Sequence, residues 1–183
     1  MRLVVSVGMP GSGKDELVEV AHQLGLATLK MGDLVREETR RRGMQPTAQN
    51  VARVANEDRE KHGPGIWAQR ALPKLTETKM LVDGCRSDTE VTVFRHNFGD
   101  LYVLGIFASP ETRYDRLMRR ARGDDSAELN AMYDRDRREL KWGIGNALAL
   151  ADGMLVNEGD LASFRTAARA KLEYALEKLQ AER

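Results

Sequence analysis

The sequence is poor in the residues that mark several large classes of protein. Its 183 residues contain one cysteine, Cys85, which excludes an internal disulfide and favours a reducing compartment. Aromatic residues make up 5% and the formal net charge is +1, which argues against a nucleic-acid ligand. No apolar run is long enough to cross a bilayer, and no signal peptide precedes the first apolar segment. We therefore expect a soluble, cytoplasmic protein with no membrane partner.

Arginine is the residue that the chain has in excess. There are 21 arginines and 8 lysines, and charged residues make up 31% of the sequence. A guanidinium binds phosphates and carboxylates through two parallel hydrogen bonds, so the excess suits a phosphate-binding protein, although genome composition produces the same bias. The length and the 42% apolar content indicate one globular domain over residues 1–183, and they leave the oligomeric state open.

Short apolar segments alternate with helical patterns along the whole chain. Strands are predicted at residues 3–7, 26–30, 79–83, 101–107 and 154–156. Helices are predicted at residues 13–24, 33–42, 47–61, 88–97, 111–122 and 126–140, with another after the break at 63–65 and one at the C-terminus. Asp33, Ser87, Ser109 and Asp160 are the predicted N-caps. The alternation predicts an α/β fold with a five-stranded parallel sheet between two layers of helices.

A glycine-rich loop joins the first predicted strand to the first predicted helix. It consists of Gly8, Met9, Pro10, Gly11, Ser12, Gly13 and Lys14. Glycines let the backbone wrap around a phosphate with several amides pointing inward, and the helix N-terminus adds partial positive charge. The lysine can reach the β- and γ-phosphates. This GxxxxGK spacing at a strand–helix junction predicts nucleotide binding, against the simpler interpretation of a glycine-rich turn with an unrelated lysine.

Asp15 stands where this loop motif normally has the Ser or Thr that binds Mg²⁺. A carboxylate is itself a competent ligand for Mg²⁺, so Asp15 is a candidate metal ligand. Its negative charge near a triphosphate would also weaken nucleotide binding. Alternatively, Asp15 only stabilises the positive end of the helix that it begins.

Four further segments carry a family resemblance. They are Met31-Gly32-Asp33-Leu34-Val35-Arg36, Leu81-Val82-Asp83-Gly84-Cys85-Arg86, the arginine-rich stretch at 113–138, and the segment at 151–159. With the glycine-rich loop, they make nearly the whole chain resemble the P-loop nucleotide kinases, both adenylate kinases and dephospho-coenzyme A kinases. The chain is most similar to an uncharacterised, mainly archaeal family that resembles both. This implies a P-loop kinase fold with acceptor-binding helices at about 33–77 and a lid at about 113–140.

The resemblance implies roles for two pairs of residues near the acceptor. Arg36 would hold an acceptor phosphate, and Asp33 would be a base where the acceptor is a hydroxyl. Asp83 ends a predicted strand beside the loop, where a carboxylate can hold Mg²⁺ through water, and Arg86 would bind the acceptor anion. The simpler interpretations are a helix cap for Asp33 and a surface ion pair for Arg86.

The remaining two segments imply contacts with the donor nucleotide. Among the lid arginines, Arg119, Arg135 and Arg138 are selected to close over the donor phosphates, because interleaved acidic residues indicate a solvated, ion-paired face for others. Asn157 and Gly159 belong to the loop that lies against the donor adenine in the resembled kinases. The simpler interpretation of that loop is an Asn-Glu-Gly turn after a strand.

The sequence therefore predicts an enzyme that transfers a phosphoryl group from ATP, with Mg²⁺, to a small nucleotide-like acceptor. A nucleoside monophosphate kinase-like acceptor is preferred because Arg36 and the Asp83 to Arg86 segment are both present. Transfer to a ribose hydroxyl, as in dephospho-coenzyme A kinases, stays open. A nucleotide-binding regulatory module with little turnover also stays open, because Asp15 and Met31 replace hydroxyl residues that the kinases use.

Overall fold

A computed structural model describes residues 1–120 and 129–181 of the chain. Its sheet has five parallel strands, in the order β2-β3-β1-β4-β5. They are β1 (Arg2–Gly8), β2 (Ala27–Lys30), β3 (Lys79–Cys85), β4 (Tyr102–Phe107) and β5 (Gly153–Val156). The predicted α/β class and the five parallel strands are confirmed, because each apolar segment forms a strand within two residues of its predicted ends.

Helices cover both faces of this sheet. They are α1 (Lys14–Gln23), α2 (Met31–Arg41), α3 (Ala48–His62), α4 (Ile66–Ala71), α5 (Asp88–Phe98), α6 (Pro110–Arg120), α7 (Leu129–Trp142), α8 (Ile144–Ala149) and α9 (Leu161–Ala181). The sequence did not predict α8, whose six residues are too few for a clear periodicity. The middle of the predicted lid, at 121–128, lies outside the described residues. None of the helices within the described ranges is long and apolar enough to cross a membrane.

Three of the four predicted N-caps are confirmed, and the fourth prediction is wrong. The side chains of Ser87, Ser109 and Asp160 each accept a hydrogen bond from the backbone amide three residues later. Asp33 is not an N-cap, because β2 passes directly into α2 and the extended Lys30 occupies the cap position. Asp33 therefore lies within the first turn of α2, where a carboxylate favours the positive end of the helix.

The core forms two layers because successive side chains of β1 point to opposite faces of the sheet. Leu3, Val5 and Val7 pack with Trp67 and neighbouring side chains on one face. Val4 packs on the other face with the side chains that α1 and α9 bury, including Leu17, Phe164 and Leu172. The three-layer α/β/α arrangement is thus confirmed by which residues are buried together.

The parallel strands bring their carboxyl ends to one edge of the sheet. Ser6 of β1 is in register with Asp83 of β3, and Asp83 is in register with Lys30 of β2. The glycine-rich loop follows β1 at this edge. Ligands of open α/β sheets bind outside the carboxyl ends of the strands, so this edge is where the candidate site lies.

Candidate functional site

The glycine-rich loop makes a tight turn between β1 and α1. Gly11 and Gly13 have φ values of 81° and 106°, a left-handed conformation that residues with a side chain rarely adopt. A Cβ atom on Gly11 would lie 2.6 Å from the backbone oxygen of Arg113. The loop therefore needs glycine at both positions for its backbone conformation, and at Gly11 also for its close approach to α6.

A buried arginine fixes the loop from the side of α6. Arg113 donates a hydrogen bond from Nη1 to the backbone oxygen of Pro10 at 3.0 Å. Its guanidinium also binds the Asp136 carboxylate of α7 through two bonds of 3.0 and 2.5 Å, and Tyr114 donates its hydroxyl to the same carboxylate. Arg113 lies in the predicted arginine-rich stretch, and the structure gives it contacts with the loop backbone.

Asn157, which follows β5, also contacts the loop. Its Nδ2 donates to the backbone oxygen of Ser12 at 2.9 Å, and its Oδ1 accepts from Arg116 Nη2 at 3.2 Å. The side chain of Asn157 is thus committed to the loop and to α6. Gly159 is exposed, and a Cβ atom added there would meet nothing within 4 Å.

A cleft of about 390 Å³ opens above the loop. Predicted site residues that line it are Gly8, Pro10, Gly11, Gly13, Lys14, Asp15, Asp33, Arg36, Asp83, Arg86 and Arg135. Predicted residues that do not line it are Met9, Ser12, Arg119, Arg138, Asn157 and Gly159. Most of the loop and both candidate acceptor arginines are therefore brought together, whereas two of the three selected lid arginines are not.

Lys14 folds back onto the loop that precedes it. Its Nζ donates to the backbone oxygens of Gly8 at 2.6 Å and Met9 at 3.0 Å. Burial lowers the pKa of Lys14 from 10.5 to about 8, while the nearby Asp83 carboxylate acts in the opposite direction. Lys14 is therefore a partly desolvated cation at the floor of the cleft, where its attraction for a phosphate is stronger than in water.

Asp83 is the buried carboxylate of the cleft. Ser6 Oγ donates a hydrogen bond to Asp83 Oδ1 at 2.6 Å. Burial raises the pKa of the Asp83 carboxyl, and the Lys14 ammonium and the Ser6 hydrogen bond oppose that rise. The sequence did not single out Ser6, because one serine in a buried strand carries no signal until the strand that pairs with it is known.

Asp15 also lines the cleft, and Lys30 lies 3.4 Å from its Oδ1. The negative charge of Asp15 contributes to the raised pKa of Asp83, so the two carboxylates act on each other. Mg²⁺ is commonly bound by one or two carboxylates together with substrate phosphate oxygens. Two carboxylates beside a phosphate loop form a donor set of that kind, so the residues present fit the ion.

Both candidate acceptor arginines have carboxylate partners. Arg36 Nη2 donates to Asp33 Oδ1 at 2.6 Å, and the Asp33 side chain is 62% exposed. Arg86 forms an ion pair with Glu139 of α7, and the Glu139 side chain is buried. Sequence reasoning missed Glu139 because the second lid stretch contains several acidic residues, and only packing shows which of them faces the cleft.

The lid arginines are distributed differently from the prediction. Arg116 and Arg135 line the cleft. Arg119 has a 79% exposed side chain that pairs with Asp115 at 2.8 Å, on the solvent side of α6. Arg138 lines a second cavity next to the cleft. Because Leu117 is one of the buried residues of α6, Arg119 lies about 200° around the helix from the inward face, at roughly 100° per residue.

The chain is similar in sequence to known proteins. The sequence profile described as an AAA domain matches residues 7–132. A UPF0200 protein of Hyperthermus butylicus is 44% identical over 175 residues, which cover 93% of this chain and 94% of that protein. A UPF0200 protein of Thermoplasma volcanium is 40% identical over 171 residues, covering 93% and 96%.

Solved structures of small-molecule kinases share the fold at low sequence identity. A gluconokinase from Sinorhizobium meliloti 1021 has a TM-score of 0.64 at 17% identity, over 99% of this chain and 97% of that chain. A shikimate kinase from Acinetobacter baumannii, in complex with shikimate, has a TM-score of 0.58 at 18% identity, over 100% and 95%. These likenesses show a P-loop kinase fold. The chain belongs to the UPF0200 protein family, with an AAA-domain phosphate loop in that fold.

Proposed function

We propose that this protein transfers the γ-phosphoryl group of ATP, with Mg²⁺, to a small nucleotide-like acceptor. The observation that carries the proposal is the composition of one cleft. It joins the phosphate loop and the buried Asp83 to arginines from separate elements, namely Arg36, Arg86, Arg116 and Arg135. Phosphoryl transfer depends mainly on positioning and on charge stabilisation, and this cleft supplies both kinds of group.

The donor side of the cleft is formed by the loop and the two carboxylates. The loop amides and the N-terminus of α1 would hold the phosphates, and Lys14 would exchange its bonds to Gly8 and Met9 for phosphate oxygens. Asp15 and Asp83 would hold Mg²⁺. When bound, the ion neutralises charge on the β- and γ-phosphates. Lys30 would offset the negative charge that Asp15 adds near the nucleotide.

The acceptor side is formed by Arg36 and Arg86. An anionic acceptor would replace Asp33 and Glu139 as their partners, and its attacking oxygen would need no strong base because it already carries charge. We therefore favour an acceptor like a nucleoside monophosphate. One observation favours a hydroxyl acceptor instead: Arg36 holds the Asp33 carboxylate at the cleft, where it could accept a hydroxyl proton.

Arg116 and Arg135 are the arginines that we assign to the developing charge on the transferred group. Both line the cleft, and they come from two different helices, α6 and α7. A guanidinium at this place stabilises the loose transition state of phosphoryl transfer. Arg119 and Arg138, which the sequence also suggested, have no place in this proposed step.

The proposed function is tested by a panel of acceptors with ATP and Mg²⁺. The panel comprises nucleoside monophosphates, dephospho-coenzyme A and a blank without acceptor. Acceptor-dependent ADP production is expected from the wild type and from Lys141→Ala, which removes an exposed lysine of α7. Lys14→Ala should lose on the order of a hundredfold or more in turnover while staying folded. ATP binding without turnover on any acceptor would contradict the proposal and favour a nucleotide-binding regulatory module.

The type of acceptor is tested by two substitutions in α2. For a phosphate acceptor, Asp33→Asn should leave turnover within about tenfold, and Arg36→Ala should raise the acceptor KM far more than the ATP KM. For a hydroxyl acceptor, Asp33→Asn should lower kcat on the order of a hundredfold with unchanged thermal stability. The second result would overturn the preferred acceptor and leave phosphoryl transfer itself intact.

A further inference from the structure

A second cavity of about 110 Å³, the side chamber, adjoins the cleft between α2, α3 and α7. Gly32, Arg36, Arg86, Arg135 and Glu139 line both cavities, so the two are adjacent. A molecule whose reacting group lies in the cleft would therefore need to extend only past these shared side chains to place its other end in the side chamber. The side chamber thus bears on the identity of the acceptor, an inference that rests on the proposed function.

The two walls of the side chamber differ in chemistry. Val35, Val51, Ala52 and Ala55 form an apolar wall on α2 and α3. The rest of the lining includes Trp142 and guanidinium groups. Three arginine Cζ atoms lie close to the centroid of the indole ring: Arg59 at 4.2 Å, Arg86 at 5.2 Å and Arg138 at 6.0 Å.

Two of these three guanidiniums have carboxylate partners, and the third has none. Arg59 pairs with Glu90 at 2.9 Å, and Arg86 pairs with Glu139. No ion pair or hydrogen bond joins Arg138 to another residue in the described part of the chain; its Nε is shielded from solvent without a partner, whereas its side chain as a whole is half-buried and lines the chamber. Burying a donor without an acceptor destabilises the folded protein, and a charged donor more so than a neutral one. Arg138 is therefore the group in the chamber that a bound anion would satisfy.

The charges around Arg138 agree with this assignment. Burial lowers the pKa of the Arg138 guanidinium, and the nearby Arg135 and Arg86 add to the decrease, whereas Glu139 and Asp134 oppose it. The lowered pKa shows that the surroundings of this guanidinium disfavour its charge, and an anion bound beside it would act in the opposite direction.

The size of the side chamber separates a small anionic group from a large ring. A dry cavity of about 150 Å³ is known to hold benzene. The side chamber is smaller, at about 110 Å³, so its size favours a compact group over a purine. A phosphate or a carboxylate group is compact, and its fork of oxygens matches a guanidinium.

We propose that the side chamber binds a second anionic group of the acceptor, remote from the group that receives the phosphoryl, and that Arg138 is the residue that recognises it. The acceptor would then have two anionic ends, or an anionic end and a reacting hydroxyl. This narrows the proposed acceptor to nucleotide-like molecules with such a second group, because a simple nucleoside monophosphate carries only the phosphate that would react. Its reacting end lies in the cleft and its other end contacts Arg138 in the side chamber. The apolar wall of Val35 and Val51 would contact the part between them.

Inorganic phosphate is the probe for this site, with tryptophan fluorescence as the readout. Trp142 lines the chamber, whereas Trp67 is buried in the core, so a response to phosphate reports on Trp142. The titration compares the wild type with Arg138→Gln and with Arg137→Gln. Arg137 is the exposed neighbour on α7 and controls for the loss of one positive charge. Lys14→Ala is included because the phosphate loop is a second anion site.

The expected result is a saturable fluorescence change in the wild type, Arg137→Gln and Lys14→Ala, with affinity at least about tenfold weaker in Arg138→Gln. Equal affinity in Arg138→Gln and the wild type, or no saturable change, would overturn the proposal. A response lost in Lys14→Ala and kept in Arg138→Gln would place the anion on the loop and would also overturn it. The titration measures binding and needs no turnover. Its outcome can therefore be told apart from a failure of the proposed function.

A kinetic arm distinguishes an acceptor subsite from a site for free phosphate. With the acceptor that the panel identifies, Arg138→Gln should raise the acceptor KM at least about tenfold and leave kcat and the ATP KM near wild type. An unchanged acceptor KM, together with phosphate binding that depends on Arg138, would show a site for a free anion. That outcome would overturn the assignment to the acceptor.

Discussion

The hydroxyl of Ser6 donates a hydrogen bond of 2.6 Å to the carboxylate of Asp83. The two residues are in register on neighbouring parallel strands, at the edge of the sheet where the phosphate loop begins. Ser6 also accepts a hydrogen bond from the amide of Gly84 at 3.3 Å, so it holds both the carboxylate and the backbone that follows it. In the proposed mechanism, Ser6 is thus a positioning residue for the metal-binding carboxylate.

Ser6→Ala should remove one of the groups that oppose the raised pKa of Asp83, so that pKa should rise further. The acidic limb of the pH profile of kcat/KM should then move to higher pH. Leaving a buried carboxylate oxygen without its donor should also lower the free energy of unfolding by about 1–3 kcal/mol. A double-mutant cycle with Asp83→Asn measures the coupling, and additive effects of the two changes would contradict this role.

Lys14 should make stability depend on pH in the alkaline range. Its pKa is about 8 in the folded protein and 10.5 ordinarily, so between these values the unfolded chain binds the proton more tightly. Stability should therefore rise as the pH increases from about 8 towards 10.5. Urea unfolding at a series of pH values should show this rise in the wild type and in Lys141→Met, and a weaker rise in Lys14→Met. The same slope in all three proteins would contradict the assigned burial of Lys14.

Asn157→Ala should loosen the phosphate loop. The change leaves the backbone oxygen of Ser12 and the guanidinium of Arg116 without the partner that they have in the structure. We expect the free energy of unfolding to fall by about 1–3 kcal/mol and the nucleotide affinity to fall as well. Asn146→Ala, which truncates an asparagine of α8, is the matched control. Calorimetric titration with ATP and thermal unfolding provide the two readouts. If Asn157→Ala changes ATP affinity and stability no more than Asn146→Ala does, the contacts of Asn157 with Ser12 and Arg116 are not needed to hold the loop.

Asp15→Ser should keep or improve the affinity for Mg²⁺ and ATP. It restores the hydroxyl that the loop motif usually has and removes a negative charge from the cleft. Lys30 loses its 3.4 Å partner and becomes available to the phosphates. Binding is measured with ATP across a range of Mg²⁺ concentrations. A collapse of affinity that excess Mg²⁺ does not rescue would contradict this prediction and show that a serine hydroxyl cannot replace the Asp15 carboxylate as a metal ligand.

Local sequence patterns predict much of this fold, because they depend on neighbours in the chain. The loop from Gly8 to Lys14 is evident from its spacing and from the apolar segment before it. The capping serines, Ser87 and Ser109, are evident because a cap bonds an amide three residues away. The predicted start of α2 at Asp33 is wrong because a strand that runs directly into a helix leaves no capping signal.

The candidate site depends more on packing than on local pattern. Asn157 is selected by resemblance, yet its bond to Ser12 joins residues 145 positions apart and cannot be deduced from the sequence. Glu139 and Lys30 are missed because a single charged residue in a helix or strand has many possible partners. Arg119 could have been excluded, because the apolar Leu117 marks the inward face of α6 and Arg119 lies nearly opposite it.

The fate of the γ-phosphoryl group decides whether the cleft performs the proposed reaction. γ-Labelled ATP is incubated with Mg²⁺, the acceptor panel and either the wild type, Lys14→Ala or Lys141→Ala, and the products are identified by mass spectrometry. We expect the label on an organic acceptor with the wild type and Lys141→Ala, and transfer reduced on the order of a hundredfold or more with Lys14→Ala. Label that stays in ATP, or that appears only in inorganic phosphate whatever the acceptor, would contradict the assignment of this protein as a phosphotransferase.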